Sequence, residues 1–427
     1  MSASPLYAPI TQCRLCGSAD LASAMDLGSQ ALTGVFPKSR SQRIPEAPLR
    51  LGKCAQCDLV QLLHNYDLGQ LYGENYGYRS GLNLSMVRHL RRKVERISSL
   101  VQLGEGDLVI DIGANDSTLL QAYSQPGLEL VGIDPSARKF AQYYPKHVAL
   151  LPEFFSAELV KRRFPERRAK VVTSIAMFYD LEQPMNFVRD VVEILGDDGL
   201  WVFEQSYLPA MLDTTSYDTV CHEHLEYYAL KQVKRMTDAA GLKIVDIEFN
   251  DVNGGSFSIA AAKAGSAYPE ARDAIRSTLD DERRRALDAL DTYRRFAQRA
   301  QQHKGALLAL LQQLKREGRK VLGYGASTKG NVMIQYCGIN ESLVACIAEV
   351  NEDKFGAFTP GSAIPIVSEA QARAMKPDYF IVFPWHFREG ILRREQDYLG
   401  SGGRFIFPLP SLDIVSSSDS RTVWPVE

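Results

Sequence analysis

The 427-residue sequence has almost no net charge: 49 Lys and Arg stand against 51 Asp and Glu, a formal −2 with histidine neutral. Without a basic excess there is no electrostatic footprint for nucleic acid or for an anionic membrane surface. Nor does any apolar run approach the roughly 18 residues that a membrane-spanning helix needs. The first residues, MSASPLYAPITQ, lack the basic and apolar regions of a secretory signal, and the expected location is the cytoplasm. Three common chemical motifs are missing as well: GxGxxG, the Walker A pattern GxxxxGK[ST] and the metalloprotease pattern HExxH. Their absence argues against a dinucleotide site, P-loop ATP hydrolysis and that class of zinc hydrolase. What is present, 45% apolar and 23% charged residues, suffices for real cores in the three or so domains implied at about 100 to 200 residues each.

Four of the seven cysteines form two CxxC pairs, Cys13 with Cys16 and Cys54 with Cys57. In a reducing compartment this reads as metal ligation. Each knuckle converges two thiolates, and two knuckles make the closed tetrahedral sulfur cage that zinc prefers, structural because no position is left for substrate. The alternative, four unrelated buried cysteines, does not explain the duplicated spacing. Residues 1–75 are read as this zinc-binding domain. MVRHLRRKVERISSLV then has helical spacing with a basic outer face, and buried runs at DLVIDIG, LELVGID, KVVTSIAM, LWVFEQ and KIVDIEF alternate with helices. That is the rhythm of a doubly wound parallel sheet, assigned to residues 76–265. Residues 266–318 are read as a helical connector whose arginines form a solvated face. A second α/β pattern fills 319–427.

The strand ending in Asp111-Ile-Gly113-Ala-Asn115-Asp116-Ser117 opens on a small-residue turn, with Asp134 at the tip of the next strand. Backbone N–H groups at such a turn approach a ligand, and an acid at the next tip accepts ribose hydroxyls. With so few glycines for a pyrophosphate, an adenosyl ligand without phosphate fits better than NAD, which favours S-adenosylmethionine. An ordinary turn capped by Asn115, Asp116 or Ser117 is the competing reading. Ser174 of KVVTSIAM is counted to the same pocket. After LWVFEQ comes Cys221-His222-Glu223-His224-Leu-Glu226-Tyr227-Tyr228. Two histidines around a glutamate, beyond the carboxyl end of a strand, mark an acid/base centre, against a plain structural cluster. Lesser signals are Asn253 in the tight NGGS loop, Tyr76 and Tyr78 at a domain junction, and Gly323-Tyr324-Gly325-Ala-Ser-Thr-Lys329-Gly-Asn331, a strand-turn-helix cradle with a lysine.

Taken in order, CRLCGS, KCAQCDL, YGYRSG, DIGAND, CHEHLEYY, VNGGS, GYGASTKGN and PDYFIVFPWHFREGI resemble the sugar-nucleotide C-methyltransferases, which methylate C3 of 4-keto deoxysugars. The resemblance covers nearly the whole chain. It implies an N-terminal zinc domain, a class I S-adenosylmethionine-binding α/β domain and a C-terminal Rossmann-like domain that helps hold the nucleotide sugar. It makes His224 the base with Glu223 beside it, and Tyr76 or Tyr78 the functional tyrosine near the seam. Ser117 replaces a customary glycine. Phe178-Tyr179-Asp180 stands where relatives carry a histidine, so a second acid/base role falls to Tyr179 or Asp180, and His222 becomes a substrate contact. Lys329 and Asn331 are candidates for the diphosphate, with Asn253, Tyr324 and Glu349 also toward substrate. The expected partner is a nucleoside-diphosphate 4-keto sugar, with neither nucleic acid nor membrane, and the chain a monomer or weak homo-oligomer. An O-methyltransferase on a sugar or polyketide is the first alternative, and a zinc-ribbon nucleic-acid-binding protein a remote one.

Overall fold

The computed structural model describes residues 6–67, 71 and 78–424; Tyr76 lies outside them. Leu21–Ala31, Glu46–Cys54 and Val60–Leu62 form an antiparallel meander. Its fourth strand, Glu226–Tyr227, comes from the middle of the chain and pairs with Val60 and Gln61. The CHEHLEYY segment is therefore part of the N-terminal sheet.

The two cysteine knuckles close by the same backbone bond, Gly17 N–H to the Cys13 carbonyl (2.9 Å) and Asp58 N–H to the Cys54 carbonyl (3.1 Å). In both, the residue after the second cysteine is left-handed, Gly17 at φ +73° and Asp58 at φ +59°. Glycine adopts this region freely and aspartate tolerates it; Lys53 and Lys231 hold the Asp58 carboxylate. All four sulfurs lie within 4.8 Å of one another, Cys13 to Cys57 and Cys16 to Cys54 at 3.5 Å. A zinc ion about 2.3 Å from each sulfur gives sulfur–sulfur edges of about 3.8 Å, so the cage fits the ion.

The middle sheet has seven strands in the order Leu242–Asn250, Ser256–Lys263, Leu195–Ser206, Ala169–Ile175, Leu108–Ile112, Glu129–Ile133 and Val148–Leu151. All are parallel except Ser256–Lys263. The earliest strand, Leu108–Ile112, is flanked by its successor on one side and by Ala169–Ile175 on the other. Its carboxyl end is the switch point where α/β sheets open a crevice. The C-terminal sheet repeats the plan: Val321–Tyr324 lies between Ile347–Glu349 and Tyr379–Val382, and two antiparallel strands, Leu412–Val415 and Ser420–Trp424, finish one edge.

The structure joins these units more closely than four consecutive spans suggest. The 27-residue helix Leu290–Arg316 buries Phe296, Leu307 and Leu311 in one core with Leu49 and Leu62 of the N-terminal sheet, Tyr217 of the middle unit and Phe380 of the C-terminal sheet. Its neighbour Arg272–Arg284 carries the solvated ion pairs expected there, Arg276 with Asp273 and Arg283 with Asp280. The helix Leu84–Leu100 corrects its sequence reading: Arg91 and Arg92 are exposed, but His89 and Lys93 turn inward onto Glu204 at 2.6 and 2.9 Å. Burial alone would raise the Glu204 carboxyl, but the His89 bond and the Lys93 charge outweigh it and hold it at about 2. No helix among the described residues is long and apolar enough to cross a membrane.

Because the knuckles anchor a sheet that has little apolar content of its own, the purified protein should carry one zinc per chain by elemental analysis. Cys54→Ser should lose the metal and lower the thermal unfolding midpoint by the equivalent of several kcal/mol. A variant that lost zinc and kept its midpoint would show that the cage is not structural.

Candidate active site

The crevice at the carboxyl end of Leu108–Ile112 is floored by Asp111, whose carboxyl accepts a hydrogen bond from Thr173 Oγ1 (2.5 Å) and is pushed up to about 7 by burial. Gly113 turns at φ +76°, where a Cβ would also collide with Met177. Ser117 adopts φ +63°, the left-handed region that favours glycine, with Gln121 Nε2 donating to its hydroxyl at 2.8 Å. Asp134 accepts from Asn115 N–H (2.8 Å) through one oxygen and from the Ser136 N–H and hydroxyl (both 2.7 Å) through the other. A carboxylate has about four acceptor sites and three are taken, so one remains for a ribose hydroxyl and the residues fit an adenosyl group. The Asn115 and Asp116 side chains are engaged elsewhere. Asn115 Oδ1 takes the Ser80 N–H (3.0 Å), its Nδ2 donates to the Tyr78 carbonyl (3.1 Å), and Asp116 takes the Gly81 N–H (2.9 Å). They tie residues 78–81 across the cofactor loop, while the Tyr78 ring itself stays 47% exposed.

Residues 207–229 are inserted after the strand Leu195–Ser206, which lies two strands from Leu108–Ile112 in the same sheet and parallel to it. Within this insertion His224 Nδ1 lies 2.9 Å from the Thr219 carbonyl. A carbonyl only accepts, so Nδ1 carries the proton and Nε2 the lone pair. The Tyr179 ring meets the imidazole edge-on at 4.4 Å, and both line a small cavity with Thr219, Glu226 and Tyr227. Burial, with a further contribution from the Lys329 charge, pushes His224 down to about 3, so the ring is neutral throughout the physiological range. Glu223 is buried against the N-terminal unit: Thr33 Oγ1 lies 3.5 Å from its carboxylate, which occupies the space that any side chain at Gly34 would need.

Five expected ligand contacts need correction. Ser174 is inside the sheet and accepts the Trp201 indole N–H (2.9 Å). Asn331 is wholly buried with Nδ2 on the Thr33 carbonyl (2.7 Å), and so unavailable to a diphosphate. Tyr324 is buried with its hydroxyl donating to Glu395 (3.0 Å). Glu349 accepts the N–H groups of Ala326, Val350 and Asn351, capping the loop after Val321–Tyr324. His222 points into the N-terminal unit, with Nε2 donating to the Ala47 carbonyl (3.2 Å) and its ring edge-on to Tyr66 at 5.1 Å. Asn331 and His222 bind across units, each with one buried polar atom left over, Asn331 Oδ1 and His222 Nδ1, whereas Ser174, Tyr324 and Glu349 bind within their own units. Conversely, Trp385 and Asp218 were not singled out, yet Trp385 Nε1 donates to Asp218 Oδ2 (2.8 Å) across the seam between the middle and C-terminal units. The available sign was the place of Trp385 inside PDYFIVFPWHFREGI and of Asp218 three residues before CHEHLEYY.

Residues 251–410 match the family described as C-methyltransferase C-terminal domain, residues 83–247 a methyltransferase domain and residues 13–72 a zinc binding domain. The C-methyltransferase NovU of Streptomyces niveus is 31% identical over 416 residues, 96% of this chain and 98% of that protein. The chain belongs to the C-methyltransferase family. Solved structures with a related outline include the CcbJ methyltransferase of Streptomyces caelestis, 15% identical over 41% of this chain and 90% of that one at a TM-score of 0.32. Another is the glycopeptide N-methyltransferase MtfA bound to S-adenosylmethionine, 12% identical over 41% and 93% at a TM-score of 0.31. This C-methyltransferase uses S-adenosylmethionine as methyl donor and holds a zinc ion on Cys13, Cys16, Cys54 and Cys57.

Three of its buried histidines, His222, His224 and His303, are held at about 4, 3 and 4 by burial, against about 6.5 in an unfolded chain. Between those values the unfolded chain binds protons that the native C-methyltransferase cannot. Stability therefore falls as pH drops from about 6.5 toward 4, by up to about 1.4 kcal/mol per pH unit for each ring. The urea midpoint should be clearly lower at about pH 5 than at about pH 7; a level midpoint would contradict the neutral buried rings.

Proposed function

We propose that the enzyme methylates C3 of a nucleoside-diphosphate 4-keto-6-deoxysugar, with His224 as the base. The observation that carries this reading is the Nδ1–H bond to Thr219, which leaves a neutral imidazole with its basic Nε2 uncommitted at a small cavity that Tyr179, Ser206 and Tyr227 also line. Carbon methylation needs a base because the carbon must first lose a proton; oxygen methylation needs only a poised hydroxyl. Membership of a C-methyltransferase family supports the first and disfavours the O-methyl alternative.

In this mechanism the sugar lies between the middle and C-terminal units with its C3 hydrogen facing His224 Nε2. The neighbouring ketone makes that hydrogen acidic. His224 removes it, and the Thr219 carbonyl, already holding Nδ1–H, stabilises the imidazolium as it forms. Tyr179 fixes the plane of the ring from its edge. Glu223 holds the base's segment against Thr33 of the N-terminal unit, which keeps Nε2 in position relative to the reacting carbon. Asp134 holds the adenosyl ribose, and the backbone of residues 113–117 lines the rest of its pocket. Bound S-adenosylmethionine supplies an electrophilic methyl group on a sulfonium.

In deuterated water, with S-adenosylhomocysteine in place of the donor, wild-type enzyme should exchange the C3 hydrogen of a 4-keto nucleotide sugar. His224→Ala should lower exchange and methyl transfer together by about 10²- to 10⁴-fold with cofactor affinity unchanged. Persistent exchange in that variant would remove His224 as the base.

A further inference from the structure

The sequence places Lys329 on the substrate diphosphate, but in the structure its ammonium faces another way. Lys329 lies in the first turn of the helix Thr328–Cys337, which Ser327 caps through the Gly330 N–H (3.0 Å). From there Nζ crosses the seam and donates to the Asn253 carbonyl (2.8 Å). The next residue, Gly254, sits under the Trp385 ring, which a Cβ would meet at 3.0 Å. Trp385 binds Asp218 at 2.8 Å, and Asp218 adjoins Thr219, which holds His224 at 2.9 Å. Lys329, Asn253, Trp385, Asp218 and His224 thus surround one region of the seam.

The titratable groups facing Lys329 are Asp218, Cys221, His224 and His386. Those facing His224 are Lys329, Tyr179, Glu226 and Tyr227. Asp218 Oδ1 and His386 Nδ1 are buried without a hydrogen-bond partner. Lys329 spends one N–H on Asn253, which leaves two for a ligand.

Resting on the reading above, we propose that Lys329 is a catalytic residue whose ammonium donates to the C4 oxygen of the sugar and stabilises the enolate formed as His224 takes the C3 proton. The C3–H bond breaks; its proton goes to His224 Nε2 and its electron pair becomes the C3=C4 bond, while the carbonyl pair moves onto oxygen. On methyl transfer that pair returns to re-form C4=O, the C3=C4 pair becomes the new C3–CH₃ bond, and the sulfur keeps the pair of the broken S–CH₃ bond. Lys329 retains all three protons. A fixed cation beside a developing oxyanion, in a site shielded from water, acts most strongly where the charge appears.

The experiment uses full-length, zinc-loaded enzyme with the 4-keto nucleotide sugar that wild type methylates, and dTDP alone as the probe of diphosphate binding. Lys329→Met should lower both C3 exchange and methyl transfer by about 10²- to 10³-fold, while S-adenosylhomocysteine and dTDP affinities stay within about threefold. Its residual kcat/KM should lose activity at higher pH than wild type, because without the neighbouring cation His224 is more easily protonated. Lys329→Arg keeps the charge and should restore that limb. The proposal is overturned if Lys329→Met exchanges C3 hydrogen at the wild-type rate under saturation, or if its dTDP affinity falls about tenfold or more, the signature of a diphosphate ligand. If wild type itself shows no C3 exchange, the underlying reading fails instead.

Discussion

The backbone of residues 207–229 contains only a short helix, a 3-10 turn and a two-residue strand, so it cannot satisfy its own buried N–H and C=O groups. An unpaired buried amide costs as much as a lost hydrogen bond, and the rest of the molecule supplies the missing partners. Leu225 donates to the Tyr179 carbonyl and its own carbonyl takes the Leu62 N–H, both at 2.8 Å, and Tyr207 donates to the Gly255 carbonyl (3.0 Å). The position of His224 is therefore set by contacts to the N-terminal sheet, the 178–180 turn and the NGGS loop together. A catalytic segment held this way is rigid only when all three neighbours are in place.

That dependence gives the distant zinc cage a part in the chemistry. Arg14 lies between the first two cysteines, and its guanidinium reaches the carbonyls of Leu62 (2.6 Å) and His64 (2.8 Å) and stands 3.8 Å from Glu226. Both partners of that pair are buried, so the knuckle that binds metal also places a charge against the strand two residues beyond His224. Gln232 Nε2 donates to the Cys57 carbonyl (2.9 Å) from the helix that follows the insertion. The geometry fixed at the knuckles thus runs through hydrogen bonds to the segment that holds His224.

The parts of this design written in short spacings were legible in the sequence: CxxC twice, a strand ending in a small-residue turn, an acid at the next strand tip, histidine beside glutamate. Each is a local pattern whose chemistry depends on neighbours in the chain. Contacts between remote segments leave no such trace. Nothing near Asn331 indicates that its amide N–H is taken by Thr33, and nothing near Glu349 shows that its carboxylate accepts three backbone N–H groups. Polar residues at the ends of strands read alike whether they serve a ligand or cap a loop, because the backbone groups they satisfy belong to every residue. His89 and Lys93 were read as surface for a related reason: helical periodicity marks which face is buried, but only the partner Glu204, far along the chain, makes burial of a charge tolerable.

In the mechanism proposed above, a base held near 3 is a weak acceptor for a carbon-bound proton, and burial that keeps His224 neutral also penalises the imidazolium it would become. The arrangement answers this with opposite charges that appear together. As the ring gains a proton an enolate forms beside it, and the pair is less costly to bury than either ion alone. The Lys329 cation disfavours imidazolium but favours the oxyanion, so it lowers the pKa of the carbon acid along with that of its base. What governs the transfer is the difference between the two pKa values. The Thr219 carbonyl acts on the other side, since its bond to Nδ1–H strengthens when the ring becomes charged. Basicity in water is then a poor guide to this histidine, because the base, the cation and the carbonyl are tuned to a charge distribution that exists only while the proton is in flight.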